Sequence, residues 1–383
     1  MKKLNPYFGY RIAISTMFFT SGVVFASWAS RIPAIQKKLG ISDGELGLVL
    51  LAGPVGSLLS LPVAGWLTTR FQSKNITQVS AIVCCFILSF LALAPNPFLL
   101  ALALFCYGSA GDILNIAMNT QAVAVEIAYK KPIMSSFHGI FSLGGMFGAF
   151  LGGLSAEFLP NVISHFAIIS GTFILISTYF SFKLLPIPIE KKEKQALFVR
   201  PDASLWGLGF IAFCVMLGEG AMADWSSVYL KQNLPESEAG LAVVGYTVFS
   251  LAMAVGRFWG DWLAKHLGAV KMLQISGILS AVGMALALFT SHFYLIIFGF
   301  TCVGAGFATV VPLVYGAAGR SKTMSAGMAL AGVSTVGYLG FLFGPPCIGF
   351  ISEYFSLKIA LISVLVLSAM ISFLSFYLKN END

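Results

Sequence analysis

Carboxylates within long apolar segments are the residues of this sequence best suited to chemistry. Asp112 is followed by Asn115 and Asn119, and this i, i+3, i+7 spacing puts the three side chains on one face of a helix. Glu219 and Asp224 occupy a second apolar segment, where a five-residue separation turns them about 140° apart around a helix, toward different neighbours. A charged group inside a membrane costs about 2.5–3.5 kcal/mol on insertion scales and usually faces a bundle interior or a wet cavity. These acids are therefore candidates to take up protons or to contact a polar solute.

Each of these candidates also has a purely structural interpretation. Asp112 could take up a proton, or it could hold a buried hydrogen bond to a neighbouring helix. Of the other two acids we favour Glu219 as the titrating group, while Asp224 could be a gate or a substrate ligand beside Trp225. His138 could relay protons, because the charge of an imidazole changes near neutral pH, or it could bond to a backbone carbonyl. The sequence leaves both interpretations open.

Aromatic and basic residues near the segment ends could line a cavity or act as gates. Trp28 and Trp225 could stack on the C–H face of a sugar ring, or they could belong to the interfacial aromatic belt. Arg31 is expected to extend to the lipid headgroups, with attraction of an anionic substrate as the alternative. Arg257 and Asp261 share a helix face and are expected to form a conformational latch. The cavity candidates are Trp28, Asn115, Asn119, Trp225 and Ser226.

The composition indicates the elements that hold these residues. The chain has 383 residues, of which 57% are hydrophobic and 10% are charged, whereas a soluble domain carries about 25% charged residues. A bilayer crossing takes about 20 apolar helical residues, and closed barrels need alternating segments that are absent here. We therefore predict an all-α membrane protein with twelve transmembrane helices. The predicted segments are 8–30, 46–69, 76–94, 98–122, 133–156, 164–185, 204–230, 239–262, 271–290, 293–318, 325–350 and 357–378.

The chain is expected to consist of two related halves. Residues 186–203 are rich in charge and proline and predict a cytoplasmic linker between a bundle at 1–185 and a bundle at 204–383. When the second half is shifted by about 195 residues, its predicted spans coincide with those of the first half, and Met222–Ser227 aligns with Phe25–Ser30. Many secondary transporters are built from internal repeats of this kind. The sequence thus predicts two pseudo-symmetric six-helix bundles.

The distribution of lysine and arginine predicts the orientation in the membrane. Of the 23 such residues, seventeen fall in the tails and loops on one side, five fall in the loops on the other side, and Arg257 lies within a segment. The positive-inside rule puts both termini in the cytoplasm. Because these cations are scattered over short loops, nucleic acid is not an expected partner. The six cysteines contain no C-x-x-C pair, so neither disulfides nor metal sites are expected.

Several motifs together resemble the major facilitator superfamily, and more narrowly its fucose-permease-like branch with the YbjJ-type bacterial inner-membrane proteins. The matching residues are Trp28–Ile35, Ser136–Gly144, Glu219 with Asp224–Ser226, Gly256–Asp261 and Gly344–Pro346. The resemblance implies the major facilitator fold, a central cavity lined by helices 1, 4, 7 and 10, and proton coupling as in sugar symporters. Gly344 and Pro345 resemble part of the antiporter motif and are taken as conformational residues. Thr69 stands where the family's loop signature carries an acid, which predicts a weakened gate in the first half.

The expected function is secondary active transport, with proton-coupled symport of a small polar organic solute, such as a sugar, by alternating access. Proton-driven efflux by antiport is the alternative within this class, and a receptor or scaffold that does not transport is the alternative outside it. The sequence contains no H-E-x-x-H motif and no nucleotide-binding glycine loop before a lysine, so we expect no enzyme. The expected partners are the substrate, protons and the lipid bilayer, without a cofactor, and the chain is expected to work as a monomer.

Overall fold

The computed structural model describes residues 6–130, 133–159, 161–187, 202, 205–233, 241–321, 323–324 and 326–376, with the backbone alone at 69, 261, 326 and 327. These residues contain thirteen α-helices and no strand. Twelve spans are long and apolar enough to cross a membrane, because α10 and α11 belong to one span. The helices are α1 (Phe8–Leu39), α2 (Asp43–Arg70), α3 (Ser73–Leu93), α4 (Pro97–Tyr129), α5 (Met134–Phe158), α6 (Val162–Ser181), α7 (Trp206–Asn233), α8 (Val244–Leu267), α9 (Ala269–Phe289), α10 (Phe293–Phe307), α11 (Val310–Gly319), α12 (Ala326–Tyr354) and α13 (Leu357–Ser375).

The tenth predicted segment is interrupted rather than continuous. Its first helix, α10, ends at Phe307, and α11 begins at Val310 after Ala308 and Thr309. Pro312 gives the physical reason, because proline has no N–H to donate to the carbonyl four residues earlier and its ring crowds that carbonyl. The apolar composition predicted the span but not this interruption.

The first helix is longer than the apolar segment that predicted it. Hydropathy ended the segment at residue 30, but α1 continues through Pro33 to Leu39. Gly40 then ends the helix in the left-handed conformation at φ 63°, and its N–H donates to the carbonyls of Gln36 and Lys37. The Lys38 ammonium donates to the carbonyls of Ala92 and Ala94 at the end of α3. The polar end of α1 is thus a structural part of the helix.

Contacts between Cα atoms divide the chain into two compact units. Unit 1 contains residues 1–40 and 52–193, and unit 2 contains residues 41–51 and 194–383. The beginning of α2 therefore belongs to unit 2, while the rest of that helix belongs to unit 1. Within the predicted linker at 186–203, only 186, 187 and 202 are described, so most of the linker lies outside the described residues and its extent stays a prediction.

Glycines hold the helices of unit 1 close together. A Cβ added to Gly22 on α1 would overlap the carbonyl of Phe141 on α5, and one added to Gly148 on α5 would overlap the carbonyl of Val23 on α1. Small residues let two helix backbones approach in this way. The face of α1 that carries Phe18 packs on the Phe137 ring at a centroid distance of 5.6 Å.

Unit 2, which includes the start of α2, is packed in the same way. On α12, Gly340 packs against the backbone of α7 at Phe213. A Cβ on Gly47 of α2 would lie 2.6 Å from the carbonyl oxygen of Pro345 and 3.0 Å from the Cα of Gly349. The Glu353 carboxylate accepts a hydrogen bond from the Gly44 N–H at 3.0 Å. A carboxylate at the N-terminus of a helix is favourable because the unpaired N–H groups there carry partial positive charge.

Candidate functional site

An ion pair between α7 and α8 forms the centre of the candidate site in unit 2. The Arg257 guanidinium lies 3.8 Å from a carboxylate oxygen of Glu219, and the two side chains are only 15% and 19% exposed. A close charge-assisted hydrogen bond between such groups measures about 2.7–2.9 Å, so this pair is held by charge at a longer separation. Proton uptake by Glu219 would therefore weaken the attraction without first breaking a short hydrogen bond.

Two tyrosines extend this ion pair into a polar cluster. Tyr246 on α8 interacts electrostatically with both Glu219 and Arg257, and its side chain bonds to Ser250. Tyr315 on α11 interacts electrostatically with Glu219 and bonds to Ser334 on α12. We call Glu219, Arg257, Tyr246, Tyr315 and Ser334 the Glu219 cluster. It joins a carboxylate, a cation and hydroxyl groups from four helices, which are the groups that bind a proton or a polyhydroxylated solute.

The sequence did not predict the partner of Arg257 in this cluster. We expected a latch between Arg257 and Asp261, one turn later on α8, and the structure puts Arg257 beside Glu219 on α7. The side chain of Asp261 lies outside the described residues, so the latch stays a prediction. Hydrophobic periodicity identifies neighbours along one helix but not the neighbour on another helix, which is why this pair was missed.

Asp224 and its sequence neighbours differ in their exposure. Asp224 is half-buried and interacts electrostatically with Tyr246. Trp225 and Ser226 are 0% and 1% exposed, and within the described part of the chain the Trp225 Nε1 and the Ser226 hydroxyl have no hydrogen-bond partner. In this conformation neither Trp225 nor Ser226 offers surface to a solute.

Asp112 lies within unit 1, against α2. Its side chain is 6% exposed and interacts with the side chain of Ser60 on α2, whose hydroxyl donates its one proton to the carbonyl of Ser57 at 2.8 Å. The Oδ2 atom of Asp112 has no hydrogen-bond partner among the described residues. Because the Ser60 hydroxyl donates to Ser57, it can only accept a hydrogen bond from Asp112, and only a protonated Asp112 can donate one. Asp112 therefore stays a candidate for protonation.

The other polar residues of the α4 face do not join Asp112. Asn119 donates through its Nδ2 to the carbonyl and to the Oδ1 of Asn115, both at 2.8 Å. Glu126, further along the face, accepts hydrogen bonds from Ile133 and Met134 and so caps the start of α5. The polar residues of α4 therefore have three different kinds of contact: Asp112 contacts α2, Asn115 and Asn119 bond to each other, and Glu126 caps α5.

His138 on α5 is half-buried and packs its ring edge-on to Phe18, with centroids 5.4 Å apart. No group of three or more His, Cys, Asp or Glu side chains that could hold a metal ion occurs among the described residues. Neither the packing of the His138 ring on Phe18 nor this finding on metal sites tests the predicted role of His138 as a proton relay.

The position of Arg31 differs from the one that we expected. We expected its side chain to reach the headgroups, but the residue is only 3% exposed, and it interacts electrostatically with His165 on α6. The expectation was wrong because α1 continues past Arg31 as a packed helix. His165 was not among the predicted site residues, although a single histidine in an otherwise apolar span was a signal for it. Trp28 is also buried, at 3% exposure, and therefore does not lie on the surface as an interfacial belt residue would.

The predicted conformational residues Gly344 and Pro345 lie on α12 in unit 2. Gly344 faces Leu217 of α7 at ordinary van der Waals distance, and the carbonyl of Pro345 packs against Gly47. Both residues therefore belong to helix contacts, consistent with a structural use of small residues.

Comparisons with known proteins agree with this architecture. The family model of the Major Facilitator Superfamily matches residues 12–245 and 208–383. An uncharacterized MFS-type transporter of Yersinia pestis is 36% identical over 93% of this chain and 92% of its own length. An uncharacterized transporter of Sinorhizobium fredii is 31% identical over 98% of this chain and 99% of its own length.

A similar fold is found among solved structures. A crystal structure of a mutant of the nucleoside transporter NupG superposes with a TM-score of 0.75 at 12% identity, covering 96% of this chain and 98% of that one. This likeness supports the fold of twelve spans, while the sequence matches extend over nearly the whole chain. The chain therefore belongs to the major facilitator superfamily and is a multi-pass membrane transport protein.

Proposed function

We propose that this protein is a proton-coupled symporter of a small polar organic solute, such as a sugar, and that it works by alternating access. The observation that carries the proposal is the ion pair of Glu219 and Arg257, with which Tyr246 and Tyr315 interact electrostatically. The motifs that resemble the fucose-permease-like branch support the same solute class. On the charge pattern, both termini are cytoplasmic, and the resemblance to the YbjJ-type proteins supports a location in the bacterial inner membrane.

The Glu219 cluster supplies a way to couple the proton to the solute. When Glu219 binds a proton, it loses its charge and its attraction for Arg257, so that the guanidinium can donate to a hydroxyl of the solute. The neutral carboxyl can donate a hydrogen bond at the same time. Solute and proton then favour each other's binding, because each stabilises the same arrangement of the cluster. Release of the proton restores the ion pair and displaces the solute.

The membrane potential can drive such a cycle. Moving one elementary charge through about 100 mV contributes about 2.3 kcal/mol, which is enough for about fifty-fold accumulation of a neutral solute. Asp112, Asp224 and His138 are further candidates for the path of the proton. Trp28, Asn115 and Asn119 are candidates for solute contacts in other conformations of the cycle.

Transport by purified protein in liposomes tests the proposal. The liposomes contain a pH-sensitive dye, and a panel of neutral sugars and polyols is added outside. We expect at least one compound to cause proton influx in the wild-type protein. In Glu219→Gln this influx is expected to be lost while exchange of labelled solute across the membrane remains. Glu157→Gln is the matched control, since Glu157 on α5 is exposed and the chemical change is the same.

The direction of proton movement separates the alternatives. Proton movement opposite to the solute would replace symport by antiport. Folded wild-type protein that neither binds nor moves any compound of a panel enlarged with organic anions and lipophilic cations would overturn the transport proposal itself.

A further inference from the structure

A buried histidine without a hydrogen-bond partner lies at the start of α6. His165 is 3% exposed, and within the described part of the chain neither of its ring nitrogens makes a hydrogen bond. A neutral imidazole has one donor and one acceptor nitrogen, and leaving a buried polar atom unsatisfied costs about 1–3 kcal/mol. Native proteins satisfy such atoms with protein groups, ordered water or ions. The ring of His165 is therefore suited to contact a small ligand.

The surroundings of His165 favour negative charge in that ligand. The buried guanidinium of Arg31 on α1 interacts electrostatically with His165. His165 is also the fourth residue of α6, whose first turn begins at Val162. The Ile163 N–H donates to the Asn161 side chain and the His165 N–H donates to the Asn161 carbonyl, but the start of a helix still carries a partial positive charge that attracts anions. A full cation and a helix N-terminus thus act on the same ring, and both attract an anion more strongly than they attract water.

Packing around the ring limits the size of the ligand. A Cβ added to Gly152 on α5 would overlap the Ser30 hydroxyl and lie 3.7 Å from the Cε1 of His165. The Ser30 hydroxyl itself donates to the carbonyl of Ser27 at 2.9 Å. Three helices therefore meet closely around His165, so that only a compact ligand could be accommodated beside the ring.

We propose that Arg31, His165 and the first turn of α6 form a binding site for a small inorganic monovalent anion, of which chloride is the first example to test. An anion there accepts a hydrogen bond from an N–H of the His165 ring and is attracted by the guanidinium of Arg31. The site lies wholly within unit 1. It is separate from the Glu219 cluster of unit 2 and does not depend on the proposed solute or on proton coupling.

Thermal unfolding of the purified full-length protein tests this site. Gluconate, a bulky organic anion, is replaced stepwise by chloride at constant ionic strength. The wild-type midpoint of unfolding is expected to rise by about 2–4 °C, because a ligand that binds only the folded state stabilises it. His165→Phe keeps a ring of similar size but removes both nitrogens, and it is expected to abolish this rise. His292→Phe makes the same change at an exposed residue and is expected to retain it.

A second measurement needs no variant. Equilibrium binding of radioactive chloride to wild-type protein is expected to saturate at one ion per chain and to be displaced by nitrate. The proposal is overturned if no saturable binding occurs, or if the wild-type midpoint is the same in chloride, nitrate and gluconate. It is also overturned if folded His165→Phe responds to chloride as strongly as the wild type.

Discussion

At the scale of single residues, the Glu219–Arg257 pair shows how a membrane protein keeps charged groups in its interior. Each charge would be costly in an apolar environment by itself. Arg257 offsets part of that cost for Glu219 at 3.8 Å, and the nearby hydroxyl groups of Tyr246 and Tyr315 add polar surroundings. A pair of this kind is sensitive to the loss of one partner, because the remaining charge is then left uncompensated.

A double-mutant cycle measures this dependence. Arg257→Gln is expected to lower the free energy of unfolding, because it leaves the Glu219 carboxylate without its cation. Adding Glu219→Gln to that variant is expected to recover part of the loss, with a coupling free energy of about 0.5–3 kcal/mol. Thermal unfolding of the four proteins in detergent gives the coupling. Additive effects of the two substitutions would show that the two charges do not interact.

Asp112 provides a second test at this scale. Ser60→Ala removes the polar side chain that interacts with Asp112, and we expect a loss of about 1–3 kcal/mol of stability from the less satisfied buried acid. Asp112→Asn in the Ser60→Ala protein is expected to restore part of it, because a neutral amide is less costly to bury than a carboxylate. Equal stability of Ser60→Ala and wild type would contradict the buried contact.

At the scale of helices, glycine decides how closely α1 and α5 pack. Gly148 touches the backbone of Val23, whereas Gly171 on α6 has no atom within 4 Å of the position of a Cβ. Gly148 and Gly152 are four residues apart, a spacing of small residues that allows close helix approach, but spacing along one helix does not identify the partner helix. The same residue type is thus required at one position and replaceable at the other.

Alanine at these two glycines tests that difference. Gly148→Ala is expected to destabilise the protein, because the added methyl group meets backbone that cannot move without separating the helices. Gly171→Ala is expected to be neutral or to stabilise by up to about 1 kcal/mol, because alanine favours a helix over glycine. Thermal unfolding compares the two variants. Equal midpoints would mean that the α1–α5 contact is looser than described.

At the scale of the whole molecule, the charge of the loops is the property that orients the chain in the membrane. Seventeen of the 23 lysines and arginines fall on one side of the predicted spans, and this asymmetry favours a single topology. The spans themselves agree with the prediction in number, since twelve are apolar and long enough. Their sidedness is a separate property that requires its own measurement.

Cysteine labelling in intact cells tests the sidedness. In a chain whose six native cysteines are replaced by serine, Pro95→Cys between α3 and α4 is expected to react with a membrane-impermeant maleimide. Phe71→Cys, between α2 and α3, is expected to react only after the cells are permeabilised. Both positions are exposed, so access decides the reaction. The reverse pattern would invert the predicted topology.

The sequence by itself determined the class of the protein, its twelve spans and the acids within them. Those properties are local, because a bilayer requires about 20 apolar residues in each helix. An ionisable residue within such a segment can therefore be recognised from the sequence alone. Only the tertiary structure decided that Arg257 faces Glu219 on another helix and that the buried Arg31 interacts electrostatically with His165. It also decided that Asp112 interacts with Ser60. These pairings join residues far apart in sequence, and they depend on how glycine contacts set the rotation and separation of each helix pair, which hydropathy and spacing along one helix do not specify.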